Sequence, residues 1–272
     1  MLGGAELVEV SSDGEAGDKS RFVRGVERAL LDGEADVGVH SAKDLPGELT
    51  KGLTLAAVPP REDPRDAWVG PGTSLKDVPE GARVGTASLR RRAQLLAARP
   101  DLEVRELHGN VDTRLRKLAD GETDAIVLAV AGLRRLGRSG EIAFPIPSES
   151  MTPAAGQGSL VLQVRDGEAA ALDAIEGLVD AAALRELTAE RAVVTLLQAT
   201  CNSPLGVHAT VDLESGRMRI DAFVGLPDGS EWIRDRVEGD SGEPTLLGAE
   251  LAKRLLDIGA RDILDRAEEL AT

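Results

Sequence analysis

The sequence predicts an α/β protein in three parts: two hinged α/β lobes, then a C-terminal α+β domain with an antiparallel sheet. Three observations carry this. Through the first two-thirds of the chain, short apolar runs of strand length alternate with segments of helical period. Two Pro- and Gly-rich stretches, 59–64 and 153–158, interrupt that alternation, so the chain crosses between the lobes twice and forms a hinged cleft. Beyond residue 205 the strands alternate apolar and polar residues, with Gly216 and Pro227-Asp228-Gly229 as turn signals. The 272 residues suit two or three domains. The boundaries this implies are 1–58 with 159–178 for the first lobe, 64–152 for the second and 181–272 for the C-terminal domain.

Element by element, residues 6–10 read as a strand and 11–18 as a polar loop. Phe22, Val26, Ala29 and Leu30 recur at helical spacing and predict a helix ending near Gly33. Short buried strands follow at 36–39 and 53–58, and the prolines at 59–64 end regular structure. In the second lobe, 83–85 is a strand leading into a helix at 88–98. A strand at 102–107 leads into a helix at 111–119, and the apolar run 125–130 suits a buried parallel strand. Residues 160–164 form a further strand, and 181–197 a long helix. Strands at 207–213, 218–224 and 231–237 precede helices at 244–257 and 259–271.

Hydrophobic residues make up 42% of the chain and charged residues 29%, enough to bury a core and too ordered a composition for disorder. With aromatics at 2%, that core must be built from Leu, Val, Ile and Ala. The net charge of −15 argues against nucleic-acid binding, because the electrostatic term toward a polyanion is repulsive. No apolar run of about 18 residues occurs, so no membrane span is expected. The first residues carry neither a basic region nor an apolar stretch, which points to the cytoplasm.

Cys201 is the only cysteine, which leaves it as a small buried residue or a reactive sulfur. The segment His40-Ser41-Ala42-Lys43-Asp44-Leu45-Pro46 follows the carboxyl end of a strand, where ligands bind in open α/β sheets. Asp44 there is either an acid/base and cation stabiliser or a turn cap before Pro46. Gly85-Thr86-Ala87-Ser88-Leu89-Arg90-Arg91 joins a strand to a helix and offers N–H groups, hydroxyls and guanidiniums to an anion; the plainer reading is a solvated basic face. His108 to Arg114 and Ala131 to Gly137 repeat the design. Several arginine-bearing strand ends in one lobe suit a substrate with many carboxylates, and phosphate would fit nearly as well. His40, His108 and His208 lack ligand spacing, so no metal is expected.

Taken in order, these motifs resemble the porphobilinogen deaminase (hydroxymethylbilane synthase) family. Further segments carry the resemblance: 61–67, 109–114, 128–137, Pro-Ala-Ala-Gly-Gln-Gly at 153–158, Thr-Ala-Glu-Arg-Ala at 188–192 and the loop around Cys201. It implies periplasmic-binding-protein-like lobes and a monomeric cytoplasmic transferase of tetrapyrrole (heme) biosynthesis that condenses four porphobilinogens with loss of ammonia. A dipyrromethane cofactor would be attached through a thioether to Cys201 and contacted by Lys43, Asp44, Thr86, Ser88, Arg90 and Arg91. Asp44 would be catalytic, and Lys19, Arg114, Arg135 and His108 would bind substrate.

Some features depart from that pattern. The family begins with a strand and helix carrying a Thr-Arg-x-Ser-Pro-Leu-Ala type motif that has no counterpart here, and the expectation is a natural start upstream of Met1. His108 stands where the family usually has an arginine, and a histidine is only partly charged near neutral pH. Residues 18–21 replace a glycine-rich stretch, and Thr200 replaces a glycine. The competing readings are a non-catalytic two-lobe carboxylate-binding protein and an inactive truncated remnant.

Overall fold

A computed structural model describes residues 4–10, 20–47, 49–200 and 202–270. In chain order the elements are α1 (Ser20–Leu31), β1 (Gly38–Ser41), β2 (Leu53–Ala57), β3 (Asp66–Val69), β4 (Arg83–Gly85), α2 (Leu89–Ala98), β5 (Glu103–Arg105), α3 (Val111–Ala119), β6 (Ala125–Ala129), α4 (Val130–Arg135), β7 (Phe144–Ile146), β8 (Leu160–Arg165), α5 (Ala169–Ile175), α6 (Ala181–Leu196), β9 (Leu205–Asp212), β10 (Arg217–Gly225), β11 (Trp232–Asp240), α7 (Pro244–Asp257) and α8 (Ala260–Glu269).

Three sheets organise these elements, in the two-lobe-plus-antiparallel arrangement read from the sequence. The first has the order β1-β8-β2 and is antiparallel throughout, with Gly38 opposite Gln163 and Leu53 opposite Arg165. The second has the order β5-β4-β6-β3-β7: β4 runs parallel to β5 and β6, whereas β3 runs antiparallel to β6 and β7. The expected parallel strand β6 is thus parallel on one side only. The third is the meander β11-β10-β9.

The central strands of the second sheet are apolar on both faces because both faces are covered. Trp68, Val84, Leu95 and Val127 pack on one side; Ala67, Ile126, Leu107 and Leu133 pack on the other. α6 is likewise buried on two sides. Ala183 and Leu187 join the core of the first sheet, while Ala189, Val193 and Leu197 join that of the C-terminal sheet.

Where the structure departs from the expected elements, the reasons are local. Residues 4–10 form no strand; Leu7 and Val8 are exposed, and apolar alternation makes no strand without a ladder partner. β1 falls at 38–41 rather than 36–39. β3 went unseen because it starts two residues after Pro64 and opens with an aspartate. β7 contains Pro145, which is tolerated because β7 is an edge strand. α5 was also missed: its seven residues are too few to show a helical period. Among the described residues no helix is long and apolar enough to cross a membrane.

The two crossings run side by side and bind each other. Glu62 N donates to Gly158 O (3.1 Å), Arg61 Nε to Gln157 O (3.0 Å) and Gln157 Nε2 to Pro64 O (2.7 Å). Glu190 on α6 ties both to the C-terminal sheet: it receives Arg61 Nη1 (2.8 Å), Gly156 N (2.6 Å) and Ala209 N (2.8 Å). Gly158 holds φ +91°, and a Cβ there would strike the Glu62 carbonyl. Gly158→Ala is expected to destabilise the protein by about 2 kcal/mol or more, read as a lowered urea midpoint at unchanged slope.

Candidate active site

A cavity of about 310 Å³ opens between the two lobes and against the C-terminal domain. The first lobe contributes the turn after β1. Ala42 is buried and its N–H bonds Ser159 O (3.0 Å), and Leu45 is buried as well, so the intervening Lys43 and Asp44 are left half-buried on the cavity wall. Arg191 on α6 fastens the far end of this turn, donating Nη2 to Pro46 O (3.0 Å) and Gly47 O (2.8 Å). Burial depresses the pKa of Arg191. Among the described residues the Asp44 carboxylate has no ion-pair partner, so it is available to a ligand.

The second lobe contributes the start of α2. Ser88 caps that helix, its side chain accepting from Arg91 N, while Ser88 N donates to the buried Thr86 hydroxyl (3.2 Å). This capping turns Arg90 and Arg91 inward. Both are buried, and both end on one carboxylate: Arg90 Nη1 lies 2.8 Å from Asp66 Oδ2, and Arg91 Nη2 lies 2.8 Å from Asp66 Oδ1. Arg90 also donates to Thr152 O, Arg91 to Val127 O, and Gln157 Nε2 to Asp66 Oδ1. Burial alone would favour a neutral Asp66, but the two guanidiniums outweigh it and hold the carboxyl far below its usual range. Two buried cations against one anion leave a net positive charge in the cleft wall. Arg114 on α3 adds to it: burial and the nearby Arg91 charge lower its pKa, and its Nε has no hydrogen-bond partner among the described residues.

Lys43, Asp44, Ser88, Arg90 and Arg91 therefore come together at the cavity, with Thr86 directly behind. Arg135, at the end of α4, donates Nη2 to Gly158 O (2.6 Å) and lies outside the cavity lining. His108 is exposed and pairs with Glu106 at 2.7 Å, also away from the lining. Lys19 and Cys201 fall outside the described residues; Thr200 and Ser203, close to Cys201 in sequence, line the cavity. His40, beneath the turn, donates from Nε2 to Gln163 Oε1 (2.8 Å), and burial keeps its pKa below the ordinary histidine value.

Sequence reasoning missed the roles of Asp66, Gln157, Glu190 and Arg191. For Asp66 a signal existed: it is the one charged residue in the four-residue run Asp-Ala-Trp-Val, all buried, and a buried carboxylate requires cationic partners. Glu190 gave no comparable signal, because a glutamate on a helix is ordinarily solvated.

The fold and the site define a two-lobe protein with a third domain and an arginine-bearing cleft where the three meet. Comparison with known proteins agrees. Residues 8–173 match the family model "Porphobilinogen deaminase, dipyromethane cofactor binding domain", and residues 184–257 match "Porphobilinogen deaminase, C-terminal domain". Porphobilinogen deaminases of Campylobacter concisus and Thiobacillus denitrificans are each 46% identical, covering 94% and 96% of this chain and 82% and 85% of their own. That of Thermus thermophilus is 46% identical over 91% of this chain and 82% of its own. The chain belongs to the porphobilinogen deaminase family.

Replacing Asp66 by Ala would strand two buried guanidiniums and is expected to cost about 3–5 kcal/mol in chemical denaturation. Because folding lowers the Asp66 pKa, its contribution is present above the unfolded carboxyl value of about 3.9 and is lost as pH falls. The native protein should therefore lose stability on acidification more steeply than Asp66→Asn.

Proposed function

We propose that the chain is a hydroxymethylbilane synthase working as a cytoplasmic monomer. It joins four porphobilinogens head to tail, releases one ammonia per unit, and adds one water to free linear hydroxymethylbilane. The observation that carries this reading is the half-buried Asp44, without an ion-pair partner among the described residues, in a cavity whose opposite wall holds two arginines on a single carboxylate.

The residues present suit a dipyrromethane: excess guanidinium charge in the wall matches its acetate and propionate groups, and the unpartnered Arg114 Nε can take one more acceptor. Attached through Cys201, the dipyrromethane supplies the primer on which the chain grows and is not itself turned over. Lys43, Arg90 and Arg91, with Thr86 and Ser88 shaping their turn, hold its carboxylates. Arg114 takes carboxylates of incoming substrate, and Lys19, Arg135 and His108 extend that surface.

Asp44 accepts the pyrrole N–H of the substrate. As the aminomethyl C–N bond breaks and ammonia leaves, positive charge spreads onto the ring nitrogen, and the carboxylate stabilises it. The α-carbon of the preceding pyrrole attacks the methylene, and its displaced proton returns to solvent by way of Asp44. The three domains, 1–58 with 159–178, 64–152 and 181–272, let the lobes separate at their hydrogen-bonded crossings as the product lengthens.

Two variants test the reading. Intact mass of Cys201→Ser should lack the increment of two porphobilinogens less their ammonia that the parent carries. Asp44→Asn should keep the arginine cluster and lose about 10²-fold or more in the rate of bilane formation; near-parental turnover would overturn the role of Asp44.

A further inference from the structure

Away from the cleft, the described aromatic side chains, Trp68, Phe144, Phe223 and Trp232, gather at one place. The sequence has three Phe, two Trp and no Tyr. Phe144, Phe223 and Trp232 wall a second cavity, of about 570 Å³, between the second lobe and the C-terminal sheet. Among the described residues, no aromatic side chain lines the first cavity. Phe144 stacks on Trp68 with ring centroids 5.9 Å apart, and Phe223 stacks on Trp232 at 6.2 Å with the planes 20° apart. Trp232 remains 49% exposed, although the chain hides its other tryptophan completely. Leu75, Ala97, Pro145 and Pro147 supply an apolar wall. Size and lining are those of a small-molecule site, which lies in the range of roughly 300–1,000 Å³ and is mostly apolar with a few polar anchors.

The anchors are cationic. The Arg234 guanidinium lies 5.3 Å from the Phe223 ring centroid and 6.0 Å from that of Trp232. Its hydrogen bonds go to the carbonyls of Glu149 and Ser150 and to Gln94 Oε1, all neutral acceptors, and desolvation lowers its pKa. Among the described residues it makes no ion pair. Lys76 stands exposed on the rim, while Arg99, also in the wall, is already paired with Asp101. Asp221 is near enough to favour the charged form of Arg234, but among the described residues no carboxylate contacts it, and a stack of rings with such a cation over it favours one kind of ligand.

We propose that this cavity binds a planar aromatic monoanion of the aryl carboxylate class. The ring lies against Trp232 and the proline wall, and the carboxylate reaches Arg234 and Lys76. Because α2 forms one wall and β10 and β11 the other, such a ligand ties the second lobe to the C-terminal domain. Gln94 links the cavity to the active site: its Nε2 donates to Thr152 O (3.0 Å), the carbonyl that also receives Arg90.

Calorimetric titration of the holoenzyme with 2-naphthoate tests the site. The expected result is saturable one-to-one binding, weakened about tenfold in Trp232→Ala and largely kept in Trp232→Phe. The uncharged 2-naphthamide and the double variant K76Q/R234Q should each lose about tenfold as well. Thermal melts establish that the variants are folded, and Trp232→Ala should form bilane at the parental rate without naphthoate. No heat of binding at roughly millimolar naphthoate would overturn the proposal. So would unchanged binding in Trp232→Ala, which would put the probe in the arginine-lined cleft, or equal affinity for the amide, which would remove the anion selectivity.

Discussion

Two arginines cannot be buried side by side unless something compensates their charge, and in this molecule that compensation is Asp66. It sits on β3, between the two crossings in sequence and beneath the cleft in space, with both oxygens engaged by Arg90, Arg91 and Gln157. The arrangement is asymmetric by design of charge: one anion fixes two guanidiniums in place and leaves one positive charge over. A second acid would neutralise the wall and remove its attraction for carboxylates; no acid would leave desolvation uncompensated. The protein as a whole carries −15, so the positive field exists only because it is concentrated in a low-dielectric cleft.

Glu190 performs a related task at the other end of the same polar seam. Burial raises the energy of its charged form, but Arg61 together with His208 more than offsets this and holds its pKa below the ordinary value. Through Arg61, Gly156 N and Ala209 N it joins the first crossing, the second crossing and β9. The C-terminal domain is therefore part of the hinge rather than an appendage to it. Arg191, one residue further along α6, reaches over to the Asp44 turn, so one helix positions both the crossings and that turn.

Much of this architecture was legible in the sequence. The period-2 and period-3.6 patterns located α1, α2, α3, α6, α7 and the C-terminal meander closely, and the proline-rich stretches marked both crossings. The elements that went unseen are those whose residues obey a tertiary need. β3 carries an aspartate because arginines from another element meet it there, and β7 carries a proline because it lies at a sheet edge. Residues 6–10 show the reverse error: their apolar alternation is real, yet no neighbouring strand is there to pair with them among the described residues.

The same division holds at the site. The sequence by itself determined which chemical groups are available: a lone thiol after a long helix, a carboxylate after β1, and arginines at strand-to-helix turns, the last two at positions that local backbone rules place at the carboxyl ends of strands. It also determined the family, since ordered motifs over most of the chain leave little freedom. Only the tertiary structure decided that Arg90 and Arg91 share Asp66, that Asp44 has no ion-pair partner among the described residues, that Arg135 and His108 lie outside the cavity lining, and that Phe144, Phe223 and Trp232 converge on a second cavity. Those outcomes depend on distances between residues far apart in the chain, and on which charges lose their water together, and no local pattern encodes either quantity.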